Sequence, residues 1–104
     1  MENRQRILVE NSSLFLVIQM IHGIEAAISV LDEQKCSLAG FTFAKAVVER
    51  ERSELRVSQS ALIFKELSRQ KIDANNLSTI HTIVEGRDCF IEIETADLVD
   101  RAQS

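Results

Sequence analysis

The chain contains no proline, no tryptophan, no tyrosine and only three glycines in 104 residues. Each shortage excludes something. All-β domains turn often, and their turns draw on Gly and Pro. So few breakers point to a small number of long elements, mostly helices. Phosphate-cradling loops need clustered glycines. Gly23, Gly40 and Gly86 are too far apart to form one. Without Trp or Tyr, the usual amphipathic anchors of binding surfaces are absent. Any anchor must be aliphatic, Met, Arg or one of the five Phe.

A basic excess is missing too. The net charge is −4 at pH 7, whereas nucleic-acid binders gain affinity by neutralising phosphates. The arginines alternate with glutamates instead. The two cysteines, Cys36 and Cys89, lack CxxC spacing, and a secreted domain of this size would carry more. Reduced thiols in a cytoplasmic protein are the expectation. His22 and His81 complete a set of four soft ligands, none paired at zinc spacing, so no metal site is expected.

What is present is ordinary for one globular domain, here taken as 1–104: 45% apolar and 27% charged residues. The most apolar stretch, SLFLVIQMIHGIEAAISVL at 13–31, is nearly oily enough for a bilayer. Gln19, His22 and Glu25 interrupt it near its centre, which argues against a membrane span or signal peptide. On a helix its apolar arc covers roughly 200°, twice that of an ordinary surface helix. One neighbour cannot cover such an arc. The segment is therefore the central helix of its fold or faces a second subunit. Gly23 and Ala27 form a flat spot for close helix approach. Asn11, Ser12 or Ser13 caps the start, and Asp32–Ser37 ends it.

Residues 41–57, FTFAKAVVERERSELRV, read as a surface helix resting Ala44, Val47, Val48 and Leu55 on the core. Its ERER strip reads as a solvated face. Ser58–Ser60 offers a fresh cap, so a break is expected there. Ala61–Phe64 form nearly a full apolar turn, which suggests deep burial or a second contact surface. Asp73–Asn76 can cap another helix, with Leu77, Ile80, Ile83 and Val84 on one face and Gly86 as its C′ residue. In DCFIEIET the period changes to two, giving a short strand at 89–94. RQRILVE supplies a second β-favouring run at 5–10. ADLVDRAQS adds a last helical turn or frays.

The expected fold is thus mainly α: a helical bundle of about four helices, with short strands at 89–94 and 5–10. No catalytic motif is visible: no nucleophile has a base at fixed spacing, and Glu92 and Glu94 carry no sign of desolvation. No catalytic residue or cofactor is assigned. The favoured function is non-catalytic protein–protein binding as a homodimer, of the adaptor, regulator (anti-activator) or chaperone type. The expected contacts are Phe15, Ile18, Met20 and Phe64, with His22 and Glu25 setting register. One alternative is a small enzyme or ligand-binding domain with a pocket near His22, His81 and Cys89. Another is a DNA-binding regulator using Arg4, Arg6 and the ERER strip.

Overall fold

In the computed structural model, which describes residues 3–33 and 39–95, the C-terminal strand organises the fold. Strand β3 (Asp88–Thr95) lies between β1 (Asn3–Leu8) and β2 (Leu77–Glu85), antiparallel to both. Helices α1 (Ser12–Glu33) and α2 (Ala39–Arg69) pack against each other, and the α1 end nearest the sheet covers one sheet face. A single 3-10 turn, Ala74–Asn76, leads from α2 into β2.

Two helices and a three-stranded antiparallel sheet replace the expected mainly α bundle of four helices. The main correction falls on 77–85, which is a strand. Leu77, Ile80 and Ile83 do mimic a helical face. The same stretch, LSTIHTIVE, holds Thr79, Ile80, Thr82, Ile83 and Val84, whose β-branched side chains fit a pleated surface better than a helix. Asp73 caps only the short turn, its Oδ1 accepting from the Asn75 backbone N–H at 3.0 Å. Gly86 does have positive φ, +60°, but it opens the two-residue Gly86–Arg87 turn between paired Glu85 and Asp88. Glycine at the first central position followed by ordinary φ is the type II′ hairpin pattern. The break expected at 58–60 is also absent, since α2 runs through it unbroken. The 89–94 and 5–10 runs fall mainly in β3 and β1, which pair within the chain. The ends expected at 34–37 and 96–104, and Cys36, lie outside the described residues.

Alternation sorts the sheet cleanly. Cys89, Ile91 and Ile93 point to the helices and are 0–2% exposed. They join Ile7 and Val9, Leu14 and Ile18 of α1, and Ile63 and Leu67 of α2 in one core. Among the described residues no element covers the opposite face. It carries cross-strand rows, Arg6·Glu92·His81 and Leu8·Phe90·Ile83, with the Arg6 guanidinium 5.8 Å from the Phe90 ring centre.

Helix ends follow local chemistry. Asn11 caps α1, its Oδ1 accepting from the Leu14 backbone N–H at 2.9 Å. At the end of α2, Ile72 N–H donates to Leu67 C=O and Lys71 N–H to Ser68 C=O, the paired bonds of a Schellman motif. Lys71 sits at C′ with φ +61°, a position glycine normally fills.

The core occupies only one end of the molecule. A 31-residue α2 is about 46 Å long, whereas eight-residue β3 spans about 27 Å. The helical hairpin therefore projects beyond the sheet. The radius of gyration is 17.1 Å, against about 13 Å for a compact chain of this length.

Candidate protein-binding surfaces

The two faces of α1 meet different surroundings. Leu14, Ile18, Ile21 and Ile28 are buried along one side, against the sheet near its start and α2 along its length. On the other side Leu16, Met20, Gly23, Ala27 and Val30 are exposed, at alternating spacings of four and three. The three large side chains are each more than half exposed (59%, 52% and 55%). A Cβ placed on Gly23 would meet nothing within 4 Å, so the flat spot beside Ala27 is open. Among the described residues α1 is the one helix long and apolar enough to cross a membrane. It is tied to α2 by two ion pairs: Arg56 Nη2 donates to Glu25 Oε1 at 2.8 Å, and Lys45 reaches Asp32.

Away from the sheet, over residues 45–59, helix α2 turns a largely polar side inward, whereas Ile63 and Leu67 at its other end join the core. Lys45, Val48, Arg52, Leu55 and Gln59 are half-buried toward α1. Arg52 Nε and Gln59 Oε1 are buried there without a hydrogen-bond partner. Each such group costs about 1–3 kcal/mol. On its outward side α2 exposes Phe43 and Val57, at 72% and 73%, together with Val47 and Phe64. This inverts the usual amphipathic arrangement, in which the apolar stripe faces the core. Of the stripe expected to rest on the core, Val48 and Leu55 face inward, while Ala44 and Val47 are exposed.

A cleft of about 450 Å³ opens between α1, α2 and β2, with Ile18, His22, Glu25, Arg56, Gln59 and His81 among its lining residues. His22 lines it from α1, whereas His81 borders it from β2 with its imidazole turned to the open sheet face beside Glu92. The cleft's charged groups are already engaged: Arg56 binds Glu25, and His81 Nε2 lies 2.8 Å from Glu92 Oε1. His81 and the Arg6 guanidinium hold the Glu92 carboxyl below the usual carboxylate range. At the other end of the core, Arg69 forks onto buried Glu66 at 2.8–3.0 Å and lowers it likewise. Cys89 does not reach the cleft. It is fully buried, and burial pushes its thiol up despite a 3.3 Å bond from Gln19 Nε2 to Sγ. A raised thiol holds little thiolate, the nucleophilic form. Among the described residues no group of three or more His, Cys, Asp or Glu could hold a metal ion.

The six expected contact residues separate. Ile18 is 2% exposed and belongs to the core, and Phe15 packs half-buried against it. His22 and Glu25 are exposed at the cleft. Met20 and Phe64 lie half exposed on the outer faces of α1 and α2. Leu16 and Val30 of the α1 arc, with Phe43, Val57 and Val47, the last expected on the core, join the exposed surface without having been among the expected contacts. Their four–three spacing was the available signal.

No protein-family model, no curated protein and no solved structure matches the chain.

Proposed function

We propose that this chain is a non-catalytic protein-binding module that works as a homodimer, its projecting helical hairpin forming the contact surfaces. One observation carries the reading: the hairpin exposes large apolar side chains along the outer faces of both helices, well beyond the reach of the core. Soluble monomers seldom leave contiguous apolar surface uncovered, and where they do it commonly marks an interface. A homodimer covers one such face with a copy of itself and leaves the other for a different protein. An adaptor, anti-activator or chaperone role would fit such an arrangement, with one face held in the dimer and the other open to a partner.

The test is gel filtration with multi-angle light scattering on the full chain, with far-UV circular dichroism as the fold control. The reading expects a dimer mass. It also expects that a charge placed on an outer face, Met20→Glu on α1 or Val57→Asp on α2, disrupts association on one face while helix content stays unchanged. A monomer mass for the unaltered chain, with both variants indistinguishable from it, would refute the reading.

The cleft supports one competing reading, a ligand site lined by His22, Glu25, Arg56 and Gln59. It makes a different demand. Ligand addition should shift the imidazole proton resonances of His22 more than those of His81 in a protein that remains monomeric.

A further inference from the structure

We infer that the second copy docks on α2 itself, as an antiparallel helix pair in one register, with Arg50 of each copy facing Glu54 of the other. This rests on the homodimer reading above and specifies its interface.

The outward face of α2 has the alternating four–three spacing of a coiled-coil seam: Phe43, Val47, Arg50, Glu54, Val57 and Ala61 are all exposed. Its ends are apolar and its centre is charged. That order restricts how two copies can meet. A parallel, in-register pair stacks Arg50 on Arg50 and Glu54 on Glu54, placing like charges together. An antiparallel pair one heptad away sets Arg50 against Ala61 and Glu54 against Val57, desolvating charges without partners. The antiparallel pair centred level with Arg52 has neither fault. It sets Phe43 against Ala61, Val47 against Val57 and Arg50 against Glu54, and the two-fold axis repeats each contact.

The surface relief agrees with this register. Phe43, Ala46, Val47 and Arg50, with Glu51, line a depression of about 310 Å³ on α2. The first four stand at i, i+3, i+4 and i+7, the four corners of a hole that receives one knob. In the chosen register the knob is Val57 of the second copy, one of the most exposed apolar side chains on the helix. Five of the six flanking positions are small and exposed, Ala44, Ala46, Ser53, Ser58 and Ser60; the sixth, Glu51, is long enough to carry its carboxylate to solvent at the seam's edge. Within one copy, Arg50 Nε is 3.8 Å from Glu54 Oε1, a loose pair that can be shared across the axis. From Phe43 to Ala61 the seam is about 27 Å long. So short a contact belongs at the small end of the interface range, and dissociation in the micromolar range is expected.

Sedimentation velocity on full-length Arg50→Glu, Glu54→Arg and their equimolar mixture tests the register. The unaltered chain should dimerise. Each single variant places four like charges at the centre and should weaken self-association roughly tenfold or more. Mixing the two should restore a dimer containing one copy of each, because the copy with two central carboxylates then faces the copy with two central guanidinium groups. Circular dichroism confirms that each variant keeps its helix. Dimers unmoved by either variant but lost in Met20→Glu would overturn the α2 register while the homodimer reading stood. Singles that weaken without rescue on mixing would overturn the antiparallel pairing. An unaltered chain that stays monomeric would overturn both.

Discussion

Lys71 and Gly86 share a positive φ, +61° and +60°, in a helix C′ position and a hairpin turn respectively, and the structure assigns opposite outcomes to exchanging them. At Lys71 a residue with a Cβ occupies the C′ position that closes α2. Left-handed backbone costs a non-glycine residue roughly 1–2 kcal/mol. Glycine avoids that cost but loses more chain freedom on folding, about 0.5–1 kcal/mol. Lys71 is exposed, so no packing is forfeited. Lys71→Gly should therefore stabilise the fold by about 0.5–1 kcal/mol. That corresponds to a melting temperature about 3–6 °C higher for a chain of this size. Gly86→Ala is the reciprocal change. A Cβ at Gly86 would meet nothing within 4 Å, so its cost is backbone alone. The expected loss is about 1–3 kcal/mol. Thermal melts followed by circular dichroism measure both, at one protein concentration because association also shifts the midpoint. A Lys71→Gly protein that melts at or below the unaltered chain would refute the Schellman assignment. An unchanged midpoint for Gly86→Ala would refute the type II′ turn.

Replacing Gln59 by Met removes a buried carbonyl oxygen that has no partner and fills the cleft wall beside Ile18 and Ile80. The urea midpoint should rise by the equivalent of about 1 kcal/mol; a fall would mean that Gln59 has a structural partner. Stability should also depend on pH at both extremes. Glu66 and Glu92 are lowered in the fold, so their contribution is present above the ordinary carboxylate range and is lost as pH falls through it. The Cys89 thiol is raised, so the fold is favoured below the ordinary thiol range and loses stability as pH rises above it. Urea midpoints across pH, repeated with Glu66→Gln and Cys89→Ala, should each flatten at one end. Unaltered slopes would contradict the assigned contacts.

How much of this could be read in the residues depends on the signal each element carries. Helix α1 shows plainly, because a long apolar arc at helical period has no competing explanation, and Asn11 stands where its cap belongs. Strand β3 shows equally well, since Cys89, Ile91 and Ile93 alternate with Phe90, Glu92 and Glu94. β2 was hidden by coincidence. Leu77, Ile80 and Ile83 are three apart, and Gly86 satisfies a helix C′ and a hairpin turn alike. Counting β-branched residues in 79–84, and the two residues between Glu85 and Asp88, favours the strand. Once β2 is a strand, β3 has neighbours on both sides and the sheet follows. The excess apolar surface of α1 was legible as well, with Met20 on its open side. The α2 surface was not, because an apolar residue in an amphipathic helix is read as facing inward. Here Arg52 and Gln59 face inward, while Phe43 and Val57 face out. The four–three spacing of Phe43, Val47, Val57 and Ala61 marks a face, but tertiary contacts decide whether that face points in or out.

The central claim is that the outer faces of the hairpin are covered by protein in solution. Sedimentation equilibrium of the unaltered chain measures this most directly, from low micromolar concentration to on the order of 100 µM. The account predicts a mass rising from 11.7 kDa toward twice that value, with a single dissociation constant. A mass fixed at 11.7 kDa over the whole range would contradict it.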